Sequence, residues 1–213
     1  MILFAVLIVI VAYLLGSICF AVIFSNHFIK ADVREFGSGN AGTTNVMRVG
    51  GFLPGALTFL CDASKGFIAC FAGKLVFEKV FENGEEWAVY GAFICGVACM
   101  LGHVFPIFFQ FKGGKGIATS VGIFAVCCPI AIVIGLAIFA ICVLLIKIVS
   151  LSSIIATFTV VTLTIVFYND SALFWPQAVL AIIMGVIVIL KHLENIKRLI
   201  AGTEKKLTIR RKK

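Results

Sequence analysis

Ile117-Ala-Thr-Ser-Val-Gly-Ile-Phe-Ala-Val-Cys-Cys-Pro129-Ile-Ala-Ile-Val-Ile-Gly-Leu-Ala-Ile-Phe-Ala-Ile-Cys-Val-Leu-Leu-Ile146 is the stretch whose reading decides the fold. It carries no charge over 30 residues. Crossing a bilayer takes roughly 20 apolar residues per helix, so the run is too long for one ordinary span and short for two. Proline removes a helix hydrogen bond and clashes with the preceding turn, which makes Pro129 a natural break. The run reads as a hairpin of two short helices turning near Cys128-Pro129.

Its neighbours support that reading through parity. Leu151 to Tyr168 and Phe174 to Leu190 look like two spans joined by Asn169-Asp170-Ser171. The tail from Lys191 to Lys213 holds nine of the eighteen Lys and Arg residues, whereas Glu78 to Glu86 holds four Glu and one Lys. Basic flanks stay in the cytoplasm, which puts the tail and Lys147 inside and the acidic loop outside. The hairpin then starts and finishes on the cytoplasmic side. Upstream, spans are expected at about residues 1–25, at Pro54 to Phe77 and at Trp87 to Phe109. The expectation is an all-α, polytopic membrane bundle of about seven transmembrane helices in a single domain, residues 1–213, with the N-terminus outside and the C-terminus cytoplasmic.

Composition points the same way. The chain is 62% hydrophobic and 13% charged, against about 45–50% and about 25% for soluble domains. No short alternating segments of a β-barrel are evident. The first apolar run lacks the basic start of a cleaved signal and is too long for one, so it reads as a retained helix. All eight cysteines lie inside apolar stretches without CxxC or Cys/His spacing, and read as small buried hydrophobes. The basic tail reads as a topology and anionic-lipid device rather than a nucleic-acid binder.

Three polar, glycine-bearing segments then share one membrane face: residues 37–48, 102–119 and 192–204. Gly37-Ser-Gly-Asn-Ala-Gly42 fits GxGxxG, but a membrane helix precedes it instead of a strand, which removes the dinucleotide reading. Gly113-Gly-Lys-Gly116 lacks the Walker hydroxyl, yet shares its physics: backbone N–H groups and a lysine around phosphate oxygens. Arg48 adds a fork suited to phosphate. His192 and Asn195 share a helix face three residues apart. Asp62 and Lys65 interrupt an apolar span at ion-pair spacing and read as a structural pair, and Glu204 as a structural tie for the tail. His27-Phe-Ile-Lys-Ala-Asp32 matches the HxxxxD box of soluble glycerolipid acyltransferases, but the α/β domain of that class is absent. A transporter would show internal repeats and midplane polar groups. No repeat is visible, and only Asp62 and Lys65 favour that class.

Gly37 to Asn45 with Arg48, Gly102 to Thr119, and His192 to Glu204 together resemble the three motifs of the bacterial acyl-phosphate:glycerol-3-phosphate acyltransferases (the PlsY family). They occur in order and at family-like spacing, and the likeness runs the length of the chain. The resemblance implies transfer of a fatty acyl group from acyl phosphate to the sn-1 hydroxyl of sn-glycerol 3-phosphate. The products are 1-acylglycerol 3-phosphate (lysophosphatidate) and phosphate, in the first step of phospholipid synthesis at the bacterial inner membrane. It implies no cofactor, no metal and no nucleic acid, membrane lipid as surroundings, and a functional link to the enzyme that makes acyl phosphate. Carried over residue by residue, the catalytic set is Ser38, Arg48, Lys115, His192 and Asn195. The substrate-binding set is Gly39, Asn40, Gly42, Thr43, Asn45, His103, Gly113, Gly114, Lys147 and Ser150.

Overall fold

The computed structural model describes residues 2–81, 84–169 and 174–207. The remaining ones include Asp170 and Ser171 of the expected external turn, two residues of the acidic loop and the last basic residues of the tail, so those expectations lie outside the described residues. The elements are α1 (Ile2–Gly16), α2 (Phe20–Ile29), α3 (Thr43–Gly50), α4 (Phe52–Val80), α5 (Gly84–Val104), α6 (Ile117–Cys127), α7 (Pro129–Ile146), α8 (Val149–Phe167), α9 (Phe174–Lys191) and α10 (Leu193–Ile200). Short 3-10 turns at Val33–Glu35 and Ile107–Phe109 complete the secondary structure, and no strand occurs among the described residues.

Six apolar stretches are long enough to cross a membrane: Ile2–Ile29, which spans α1 and α2, and α4, α5, α7, α8 and α9. The chain breaks at Cys128-Pro129 as the proline dictates, and α7 begins with Pro129 in its first turn. Only the first member of that pair is short. α6 has 11 residues, about 16 Å at 1.5 Å per residue, whereas the 18 of α7 rise about 27 Å. The two part company in packing: α6 lies on α4, and α7 lies on α8.

The first span, expected as one helix, is broken at Ser17-Ile18-Cys19. The cause is tertiary. Lys65 Nζ donates to the Ile18 carbonyl at 2.8 Å, and the Ile107 N–H reaches Ser17 Oγ. α4 is the hub of the first half and packs on α1, α2, α3, α5 and α6. Small residues let these backbones meet: a Cβ on Gly73 would strike the Gly91 carbonyl of α5, and one on Gly122 of α6 the Ala63 carbonyl. Close approach of this kind is how helices associate where lipid removes the hydrophobic drive. α7, α8 and α9 form a second group, joined to the first where α9 touches α5 and α6. Large apolar side chains such as Leu144 and Leu145, 74% and 78% exposed, cover the outside. The eight cysteines are unpaired, five of them buried.

Candidate active site

A cavity of about 720 Å³ opens between the two helix groups. One end is polar and is lined by Ser38, Asn40, Gly42, Thr43, Arg48, Asp62, His103, Lys115, Ser150, His192, Asn195, Arg198, Glu204 and Lys205. The other is walled by α6, α7, α8 and α9, with Phe124, Ile132, Phe139, Val160, Met184 and Val188.

The loop before α3 is wound around one side chain. Asn45, 2% exposed, accepts the Ser38 N–H on Oδ1 at 2.9 Å. Its Nδ2 faces the carbonyls of Val33, Phe36 and Asn40 at 2.9, 2.9 and 3.1 Å. Gly37 adopts φ +66, where a Cβ would be strained and would also strike Asn45 Oδ1. Asn45, expected to bind substrate, is therefore committed to the loop backbone. What the loop offers the cavity is the Ser38 hydroxyl, Asn40, the start of α3 and Arg48. Thr43 Oγ1 is enclosed there without a hydrogen-bond partner, and Arg48 has no ion-pair partner among the described residues.

The second loop rests on His103. The Gly114 N–H donates to the His103 carbonyl at 3.1 Å, and a Cβ on Gly114 would meet the His103 ring and the Ala41 carbonyl. Gly114 thus acts as a spacer that presses the two loops together, and Gly113 lets its loop close on the His103 and Val104 carbonyls; neither lines the cavity. Lys115 projects from the loop and donates to Asn195 Oδ1. Burial, with Arg198 and Lys191 nearby, pushes its ammonium down to about 8, against a partial pull from Glu204.

The third segment closes the circuit. His192 Nδ1 donates to the Val188 carbonyl at 2.8 Å, which leaves Nε2 as an acceptor. Burial first, then the charge of Lys115, pushes His192 down to about 4, so the ring is neutral near pH 7. Glu204 accepts from Asn195 Nδ2 at 2.6 Å, Arg198 Nε at 2.7 Å and Ser150 Oγ at 2.8 Å. Burial pushes its carboxyl up, but those hydrogen bonds outweigh it and hold it below the usual range. The tail is strapped down again beyond it: Lys205 Nζ donates to the Gly37 carbonyl at 2.9 Å, and the Leu207 N–H to the Lys147 carbonyl at 2.7 Å.

Beneath this head, Asp62 faces Lys65 at 2.8 Å and His103 Nδ1 at 3.5 Å. Asp62 borders the cavity, and Lys65 stands behind it, turned to the α1–α2 break. Gly39 and Lys147 do not line the cavity. Lys147 caps α7 in the left-handed conformation and contributes its carbonyl, not its ammonium. The HxxxxD pair is not a dyad: Asp32 caps the following 3-10 turn and grips the Arg34 guanidinium at 2.7 Å, while His27 is exposed. Arg34 in turn donates to the Phe109 carbonyl at 3.1 Å, tying the first loop to the second.

Arg198, Lys205 and Ser153 line the cavity without having been singled out in the sequence. Arg198 was within reach of pattern, three residues beyond Asn195 on one face of α10. Lys205 carried no signal, because a lysine in a basic tail looks like any other.

The first turns of α3, α6, α8 and α10 all contribute to the polar end. First-turn N–H groups lack intrahelical partners and carry the positive end of the helix dipole. Together with Arg48, Lys115, Arg198 and Lys205 they make an anion-attracting head on an apolar corridor, which suits a phosphorylated molecule beside a lipid-like one.

A sequence profile described as Glycerol-3-phosphate acyltransferase matches residues 6–202. The glycerol-3-phosphate acyltransferase of Thermoanaerobacter sp. (strain X514) is 43% identical over 204 residues, 96% of each chain. Glycerol-3-phosphate acyltransferase 2 of Bacillus anthracis is 35% identical over 202 residues, 95% of this chain and 98% of that protein. The crystal structure of PlsY, an integral membrane glycerol 3-phosphate acyltransferase, in its glycerol 3-phosphate form aligns with a TM-score of 0.84 at 34% identity over 96% of both chains. Its lysophosphatidic acid form aligns with a TM-score of 0.80, also at 34% identity, over 95% of this chain and 94% of that one. With nearly its whole length matched in both sequence and fold, this chain, an integral membrane protein, belongs to the glycerol-3-phosphate acyltransferase family.

Proposed function

We propose that the protein transfers a fatty acyl group from acyl phosphate to the sn-1 hydroxyl of sn-glycerol 3-phosphate, releasing 1-acylglycerol 3-phosphate and inorganic phosphate. The observation that carries this reading is a cavity that joins a cationic, helix-capped head to an apolar corridor. Such a shape takes two phosphates side by side and one acyl chain. The relatives' glycerol 3-phosphate and lysophosphatidic acid forms fit the acceptor and the product.

Acyl phosphate is a mixed anhydride and already activated, so positioning and charge neutralisation can supply most of the acceleration. Ser38, Asn40, Thr43 and the start of α3 hold one phosphate. Lys115 and Arg48 hold the other, with Lys115 bridging the two. His192 Nε2 and Asn195 hold glycerol 3-phosphate so that its sn-1 hydroxyl oxygen faces the acyl carbon. That oxygen bonds to the acyl carbon, the carbon–oxygen bond to phosphate breaks, and the departing phosphate takes the hydroxyl proton. A His192 pushed down to about 4 is a weak base, which favours phosphate as the proton acceptor. The active site faces the cytoplasm of a bacterial cell, with the N-terminus outside.

Purified protein given acyl phosphate and glycerol 3-phosphate should form lysophosphatidate and phosphate in equal amounts, and acyl thioesters should give neither. Product from thioesters but not from acyl phosphate would overturn the donor assignment.

A further inference from the structure

The apolar corridor ends inside the protein. At its far end Phe124, Ile132 and Met184 are 3%, 8% and 1% exposed. Behind them lie Cys128, Ala131, Leu180 and Ala181, packed in the same buried cluster and absent from the cavity wall. The floor is therefore solid core and not an opening to lipid.

Two helices measure its depth independently. On α8 the wall runs from Ser150 at the head to Val161, eleven residues on. On α7 it runs back from Val143 to Ile132, again eleven. Either gives about 16 Å at 1.5 Å per residue. An extended chain advances about 1.2 Å per bond, as a backbone of three bonds spans about 3.6 Å. The corridor therefore takes about thirteen bonds, the length of a myristoyl chain.

Near the floor, Gly185 borders the corridor, next in sequence to Met184 and beside Val161, the deepest residue of the α8 wall. A Cβ built there meets Val161 Cγ2 at 3.0 Å and Thr157 Cγ2 at 3.9 Å, two groups that also line the cavity. Any side chain at this position enters the passage between α8 and α9.

We infer that the corridor is a measuring pocket. Phe124, Ile132 and Met184 set the longest acyl chain accepted, at about myristoyl length, and Gly185 keeps the passage open to that depth. This rests on the acyl-transfer reading above and adds a chain-length preference to it.

The test is kcat/KM over a homologous series of saturated acyl phosphates, from octanoyl to stearoyl. The parent protein should peak at myristoyl and lose about tenfold by stearoyl, the scale on which apolar pockets discriminate methylenes. Gly185→Leu should fill the last part of the pocket, move the peak to lauroyl and keep octanoyl turnover, which also reports an intact fold. Met184→Ala should move it the other way, to palmitoyl, since it deepens the floor. A flat series in the parent, as for a chain running sideways into lipid, would overturn the inference. So would a Met184→Ala peak that does not move, whatever the fate of Gly185→Leu. If the parent turned over no acyl phosphate of any length, the donor reading would fall instead. The pocket would then be read from thermal stabilisation by 1-acylglycerol 3-phosphates of the same series, with the same peak and the same Met184→Ala shift expected. No such peak or shift would overturn it there as well.

Discussion

At the scale of single residues, the site depends on what burial does to two ionisable groups. Lys115, pushed down to about 8, is charged below that pH and loses its charge as the pH rises through it, well before an ordinary lysine would. Catalytic efficiency toward glycerol 3-phosphate should therefore decline above about pH 8. Lys115→Arg, whose guanidinium stays charged, should flatten that limb at a lower overall rate. An alkaline limb that persists in the arginine variant would assign it to another group. His192 acts in the opposite range: with Nδ1 fixed on Val188, its role is to accept a hydrogen bond. His192→Gln should lower turnover yet leave the shape of the pH profile unchanged, and a lost ionisation in that profile would make His192 the base. The polar residues themselves were legible in the sequence because glycine, arginine and histidine stand out against apolar helices. Their division of labour was not. Asn45 looks like a ligand beside Ser38 and Thr43, and only its four backbone neighbours mark it as the post the loop is wound on.

At the scale of elements, the same asparagine gives a prediction about a loop. Asn45→Ala would leave the half-buried Ser38 N–H without its acceptor and take one donor from each of three carbonyls that keep a backbone partner, at about 0.5–1.5 kcal/mol for each hydrogen bond lost. The loop should loosen, with kcat/KM falling by more than tenfold and the melting temperature by only a few degrees. Equal damage to both would mean that Asn45 supports the whole fold and not the loop alone. The contrast between two helix breaks explains what sequence can and cannot reveal. The break at Pro129 was visible because its cause is local. The break at Ser17-Ile18-Cys19 was not, because Lys65 and Ile107 cause it from 47 and 90 residues away. In the same way the expected pair of short helices became one short and one full-length, since α7 finds its partner in α8 and not in α6.

At the scale of the molecule, one orientation makes the site a cytoplasmic one. A fluorescent protein fused at the C-terminus should fold and emit, and alkaline phosphatase at the same place should stay inactive. The reverse pair of results would turn the bundle over. The strap of the tail has a consequence in time. The Lys205–Gly37 contact joins residues 168 positions apart, and Glu204 ties Ser150 to Asn195 and Arg198. During synthesis the first loop emerges early, and Lys205 follows it 168 residues later. Until the ribosome has released them, the membrane holds a bundle with an unfinished head. The enzyme can begin work only once both halves of each tie are out.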